Sequence, residues 1–244
     1  MPDVMIPTRQ GDMPAYCAKP TGAGPWPGVV VIHDIVGMST DARNHADWLA
    51  GEGYLAVAPD LFHWGSMFAC IRAVMRETAA GHGRSFDDIE AARTWLTRQD
   101  GCTARIGVIG FCMGGGFALL LAPQSRGFAA SAPNYGRLPK DPDAFFAGAC
   151  PIVGSFGGKD KMLRGAAGTL EKALTVNNVP HDVKEYPDAG HAFLNKHVPS
   201  DIPVVMRVMM KVMGGGETYH PASADDARRR ISAFFDTHLK SATT

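Results

Sequence analysis

The chain has 244 residues, of which 45% are apolar and 20% charged, enough for one α/β domain around a real core. Lys+Arg and Asp+Glu number 24 each, so no net field draws the protein to nucleic acid or to an anionic membrane. Apolar runs such as those at 29–32 and 118–122 are too short to span a bilayer. The opening MPDVMIPTRQGD has no apolar stretch of the signal-peptide kind, so a cytoplasmic location is expected. The five cysteines, Cys17, Cys70, Cys102, Cys112 and Cys150, are odd in number and form no CxxC pair. Free thiols are therefore expected, with neither a disulfide framework nor a zinc ribbon.

In chain order, GVVVI at 28–32 reads as a buried strand and 40–51 as a helix. YLAVA at 54–58 is the next strand and stops at Pro59. Helices are expected over 72–80 and 86–99, then the strand RIGVI at 105–109, running into Gly110, and a helix over 114–122. Strands at 128–132 and 151–156, a helix over 163–177 and a strand at 182–186 follow. Such alternation predicts a single α/β domain over 1–244, a mostly parallel sheet with helices on both faces. The chain closes on a helix N-capped by Ser223, with Asp225 and Asp226 in its first turn. Its Ile231, Phe234, Phe235 and Leu239 recur at helical spacing. The stretch 195–222 reads as an insert before this helix. Within it DIPVVMRVMMKVM, at 201–213, has only Arg207 and Lys211 as polar residues beyond Pro203. A helix so apolar must bury more than one face, whether as a core helix, a cap over a pocket or a dimer interface. Both a monomer and a homodimer are compatible with this.

The chemistry begins at Gly110-Phe111-Cys112-Met113-Gly114, after a predicted strand and at the start of a predicted helix. G-x-nucleophile-x-G is the pattern of a nucleophile elbow, a turn so sharp that only glycine fits two residues to either side. A nucleophile needs a base and an orienting acid. The order nucleophile, acid, histidine is met by Cys112, Asp160 in GGKD and His191 in DAGHAF. Both partners follow predicted strands, where groups that act on ligands gather in open α/β sheets. The loop His33-Asp34-Ile35-Val36-Gly37 also follows a strand. Backbone amides of Ile35 and Met113 are the expected oxyanion donors. Asp34 beside them reads either as a loop cap or as a gate on Cys112. No HExxH or similar ligand spacing suggests a metal, and neither metal nor cofactor is expected.

The segments PAYCAKP, PGVVVIHDIVGMS, GYLAVAPDLF, RIGVIGFCMGGGFAL, GGKD and YPDAGHAF together resemble the dienelactone hydrolase family. The resemblance implies an α/β-hydrolase fold and a Cys-Asp-His triad at Cys112, Asp160 and His191. It also implies an acidic residue, here Asp34, that contacts the nucleophile at rest and releases it when substrate binds. Two positions depart from the family pattern. Asp34 stands where the best-known members carry Glu. Asn195 stands where they carry an Arg that binds the substrate carboxylate. Arg72 and Arg76, on a helix near the expected pocket, are candidate replacements, with Phe193 and Asn195 as further substrate-binding candidates. The expected activity is hydrolysis of a small ester or lactone. The alternatives are a carboxylesterase or thioesterase on another acyl group, or a non-catalytic member that uses the pocket for binding.

Overall fold

A computed structural model describes residues 3–202 and 219–240. Eight strands form one sheet: β1 (Asp3–Thr8), β2 (Gly11–Ala18), β3 (Trp26–Ile32), β4 (Leu55–Pro59), β5 (Cys102–Phe111), β6 (Ala130–Asn134), β7 (Ile152–Gly157) and β8 (His181–Tyr186). Their spatial order is β1-β2-β4-β3-β5-β6-β7-β8. β1 and β2 are antiparallel to their neighbours, and the strands from β4 to β8 run parallel. The helices are α1 (Thr40–Gly51), α2 (Met67–Ala80), α3 (Arg84–Thr97), α4 (Met113–Leu120), the single turn α5 (Pro142–Phe145), α6 (Ala166–Val176) and α7 (Pro221–Phe235). The mostly parallel sheet expected from the alternation, with helices on both faces, is the one observed, and it fits the α/β-hydrolase fold that the resemblance implies.

The apolar runs alternate between two cores because successive strand residues point to opposite faces. Val29 and Val31 of β3, with Ile109 and Phe111 of β5, pack on α1 and α7 through Ala46, Leu49, Ala227, Ile231 and Phe235. Val30, Ile32, Ile106 and Val108 face α2, α3 and α4 through Val74, Ile89, Leu96 and Phe117. Each central strand is thus buried on both sides, and every parallel strand ends at the same edge. The loops carrying Asp34, Cys112, Asp160 and His191 leave from that edge, after β3, β5, β7 and β8.

Several boundaries differ from the sequence reading. The β1–β2 hairpin has no counterpart in it, since Pro7 and Pro14 interrupt the alternation that marks a strand. α2 starts at Met67, five residues early, because the Ser66 hydroxyl accepts from the Ala69 amide and caps it. α7 starts at Pro221, not after a Ser223 cap. His220 is the cap, its Nδ1 accepting from the Ser223 amide, and proline fills the first turn where its missing N–H costs nothing. Ile231, Phe235 and Leu239 are buried as their spacing predicts, and Phe234 is half-buried. Most of the apolar stretch 201–213 lies outside the described residues. Among the described residues no helix is long and apolar enough to cross a membrane.

Candidate active site

Cys112 sits between β5 and α4 with φ 53° and ψ −108°, a conformation that costs a non-glycine residue about 1–3 kcal/mol. Neighbouring strands hold it there. The Cys112 amide donates to the Asn134 carbonyl at 3.1 Å, and the Asn134 side-chain amide donates to the Gly110 carbonyl at 3.2 Å. A Cβ at Gly110 would collide with the backbone of Gly114, and one at Gly114 with the carbonyl of Ile32. The two flanking glycines are therefore what lets the chain fold back against β3 and push the cysteine side chain out.

Two loops bring the other groups to the sulfur. The Gly158 amide donates to the Tyr186 carbonyl and the Lys159 amide to that of Ala189, which ties the loop after β7 to the loop after β8. His191 Nδ1 then lies 2.6 Å from Asp160 Oδ2, and Nε2 lies 3.0 Å from Cys112 Sγ. The other Asp160 oxygen accepts from the Met162 amide at 2.9 Å. Asp160 is buried, which by itself raises a carboxyl's pKa, but the His191 hydrogen bond and charge outweigh burial and bring it below the ordinary range. Burial likewise opposes a charge on His191, yet the Asp160 and Cys112 contacts prevail and raise it to about 10. The other four cysteines are free, and burial raises all of them, Cys150 to about 12.

The loop after β3 is braced by His33. Its Nδ1 donates to the Asp34 carbonyl at 2.7 Å and its Nε2 accepts from the Leu61 amide at 3.1 Å, which fixes one neutral tautomer. Burial lowers its pKa accordingly. Within the turn, Val36 and Gly37 spend their amides on Asp34. The Met113 amide opens α4, in the first turn where helix N–H groups have no intrahelical acceptor.

Asp34 Oδ1 accepts from the Val36 amide at 2.8 Å, the contact of a loop cap. The resemblance implies a resting contact with Cys112, but its carboxylate is taken by other donors. The Val36 amide holds Oδ1, while Asn195 Nδ2 and His197 Nε2 each lie 2.8 Å from Oδ2. Burial raises its pKa, but the His197 hydrogen bond and charge reverse this and lower it overall. His197 is raised, burial being overcome by the same pair.

The expected substrate contacts also need correction. Phe193 is fully buried, its ring 5.6 Å from that of Tyr135 and 5.0 Å from that of Tyr186, so it is a core residue. Asn195 is 3% exposed. Its amide serves Asp34 and its oxygen accepts from the Tyr135 hydroxyl at 2.7 Å and faces His45 Nε2 at 3.3 Å. It is an internal bridge, not a substrate contact. Arg72 and Arg76 lie exposed on α2. The sequence reading also left out His197, Tyr135 and His45. Only His197 carried a local signal, as a second histidine on the His191 loop. Among the described residues no three His, Cys, Asp or Glu side chains group in a way that could hold a metal ion.

The model of the dienelactone hydrolase family matches residues 13–239. The chain belongs to the dienelactone hydrolase family. Membership makes it a hydrolase of the small-ester and lactone class. A protein named "Putative carboxymethylenebutenolidase" from Escherichia coli (strain K12) is 32% identical over 246 residues, covering 94% of this chain and 84% of its own length. The structure of a dienelactone hydrolase named as putative from Klebsiella pneumoniae subsp. pneumoniae superimposes with a TM-score of 0.76 at 29% identity. It covers 96% of this chain and 97% of its own. An esterase from Thermogutta terrifontis, at 14% identity and TM-score 0.69 over 99% of this chain and 96% of its own, shares the fold.

Proposed function

We propose that this family member hydrolyses a small ester or lactone with Cys112 as nucleophile, His191 as general base and Asp160 as the group that orients the imidazole. The observation that carries this reading is the continuous row Asp160–His191–Cys112, with both imidazole nitrogens in hydrogen-bond contact.

In this reading His191 Nε2 takes the Cys112 proton, and Asp160 stabilises the imidazolium through Nδ1–H. The thiolate adds to the carbonyl carbon, and the carbonyl oxygen becomes an oxyanion facing the Ile35 and Met113 amides. As the tetrahedral intermediate collapses, the C–O bond breaks and the leaving alkoxide takes the proton from His191. An acyl-cysteine thioester remains. Water then gives a proton to His191 and adds to the thioester carbonyl. The C–S bond breaks, and the thiol recovers its proton from His191. A lactone keeps its leaving hydroxyl attached, so the product is a hydroxycarboxylate. A free-thiol nucleophile suits a reducing compartment such as the cytoplasm. The butenolide in the relatives' name carries a carboxylate, so the charge of the substrate separates that compound from neutral esters and lactones.

The test is turnover of p-nitrophenyl acetate by wild-type and Cys112→Ala protein. Hydrolysis by the wild type and its loss in a folded Cys112→Ala variant support the assignment. Undiminished hydrolysis by the variant rejects it, and an inert wild type favours a binding role for the pocket.

A further inference from the structure

In the turn after β3, Asp34 takes the amides of two following residues. Its carboxylate accepts from the Val36 amide at 2.8 Å and its carbonyl from the Gly37 amide at 3.2 Å. The Ile35 amide has no hydrogen-bond partner among the described residues. The chain entering this turn lies against the elbow, since a Cβ at Gly114 would collide with the carbonyl oxygens of Ile32 and His33. From this arrangement we propose that Asp34 is a positioning residue: gripped by His197 and Asn195, it clasps the turn and keeps the Ile35 amide available to the oxyanion. The inference rests on the hydrolysis proposed above.

The second carboxylate oxygen anchors the clasp. Asn195 Nδ2 donates to Oδ2 at 2.8 Å, and His197 Nε2 lies 2.8 Å from the same atom. Both residues follow His191 on the loop after β8, so one carboxylate ties the oxyanion turn to the segment that carries the base. That segment is itself pinned to α1. Asp41 accepts from the Lys196 and His197 amides at 3.2 and 2.7 Å, and Asp201 accepts from the Thr40 amide at 2.6 Å. The Tyr135 hydroxyl donates to Asn195 Oδ1 at 2.7 Å, which turns the amide group of Asn195 toward Asp34. His197 has φ 48°, a left-handed backbone uncommon outside glycine. It is kept because both its amide and its ring are bound.

Charge gives the grip a second purpose. A bare carboxylate one residue from an oxyanion donor would oppose the negative charge that develops there. Here the Asp34 carboxylate faces three donors, one of them on His197, whose pKa is raised. The same contacts separate the clasp from the gate that the resemblance implies. A gate must leave its partners to reach the sulfur, whereas Asp34 is 4% exposed and would strand largely buried donors by leaving, which is costly.

The experiment compares two reactions of Cys112 that differ in their need for an oxyanion donor. One is acylation by p-nitrophenyl acetate, followed as release of p-nitrophenolate. The other is alkylation by iodoacetamide, in which the S–C bond forms as the C–I bond breaks at a saturated carbon, with no oxyanion. Asp34→Ala should lower kcat about ten- to a hundredfold, with KM and the alkylation rate little changed. Asp34→Asn still offers an oxygen to the Val36 amide and should recover much of that loss. His197→Ala, which removes one of the two donors to Oδ2, should lower kcat about three- to tenfold. Amide hydrogen exchange followed by NMR reads the clasp without catalysis: the Val36 amide should be protected in the wild type and lose protection in Asp34→Ala. If Asp34→Ala does not fold, His197→Ala and the wild-type exchange decide the matter. Faster alkylation of Asp34→Asn with kcat retained would restore the gate and overturn the clasp. Equal losses of acylation and alkylation would overturn it too, as would a wild-type Val36 amide that exchanges as freely as that of Ile35. A wild type inert toward the ester would overturn the proposed hydrolysis and the catalytic role with it, and the Val36 protection reads the clasp apart from that outcome.

Discussion

His197 Nε2 lies 2.8 Å from Asp34 Oδ2, and this largely buried pair occupies the acid that the family resemblance places against the nucleophile. The Cys112 sulfur lies 3.0 Å from His191 Nε2. Asp41 reinforces the arrangement from below, accepting the His197 amide at 2.7 Å and fixing the backbone that carries the imidazole.

The pair should leave a pH signature in stability. His197 is raised above its ordinary 6.5, so its contribution is complete below that value and is lost as pH rises through the raised one. Asp34 is lowered below its ordinary 3.8, so its contribution is complete above that value and is lost as pH falls through the lowered one. The window of full stabilisation therefore runs from about pH 4 to 6.5. His197→Gln, which keeps a donor but no charge, should lower stability there by about 1–3 kcal/mol. Thermal melting from pH 4 to 9 checks this: the gap to wild type should narrow on the alkaline side, and a gap independent of pH would mean the pair is not ionic.

Cys112 should alkylate unlike the other cysteines. His191 Nε2, 3.0 Å from Cys112 Sγ, is placed to take the thiol's proton. Cys17, Cys70, Cys102 and Cys150 are all raised by burial. Iodoacetamide at neutral pH should therefore label Cys112 first. Asp160→Asn removes the charge that steadies the imidazolium and should slow the labelling about tenfold or more. Mass spectrometry of quenched samples reads both effects. Labelling of Cys112 no faster than that of the other four cysteines would argue against activation by His191.

The parts of this site that were legible in the sequence are those tied to a local geometric demand. GFCMG is readable because a backbone collision forces glycine at 110 and 114, and the strand runs before it are readable because burial on both faces requires continuous β-branched residues. Asp160 and His191 follow from chain order. Tyr135 and His45 were not legible, and His197 showed only its place on the His191 loop. They come together only when β6, α1 and the loop after β8 close around Asn195, and no short-range pattern encodes that meeting. Asn195 itself was misread for the same reason: its position in the chain suggested the pocket, whereas its hydrogen bonds lie within the protein.

The elbow glycines can be tested directly. Gly114→Ala would drive a methyl into the Ile32 carbonyl, and Gly110→Ala would drive one into the Gly114 backbone. Neither obstacle is the flexible end of a side chain, so the strands must shift. Each variant should lose about 1–3 kcal/mol of stability and misplace the Cys112 sulfur. Melting temperature and iodoacetamide labelling should fall together. A Gly114→Ala protein of wild-type stability and labelling would show that the close approach is not what fixes the turn.

Substrate charge is the remaining discriminating property. A carboxylated lactone needs a cation near the acyl site to offset desolvation of its carboxylate, and an Arg fork does this best. Asn195 cannot take that part, because it is 3% exposed with its amide on Asp34 and its oxygen shared by Tyr135 and His45. Lys196 and Arg228 line a cleft beside α1. Among the described residues, Arg72 and Arg76 are the candidates named from the sequence. The helix that carries them packs Met67 and Ile71 against Val36 and Ile202, so it approaches the loop of the expected oxyanion donor, but both guanidinium-bearing residues are exposed. In water-rich surroundings a charge pair is worth little. Relative to a site with a buried Arg, the missing charge-assisted bond removes about 1.5–3 kcal/mol, or roughly ten- to a hundredfold in kcat/KM for the free acid. Neutral esters or lactones should therefore be turned over at least as well as carboxylated ones. The measurement is kcat/KM for a matched pair that differs only in carboxylate against methyl ester. A strong preference for the free acid would refute the prediction, and Arg72→Ala and Arg76→Ala would then identify the cation responsible.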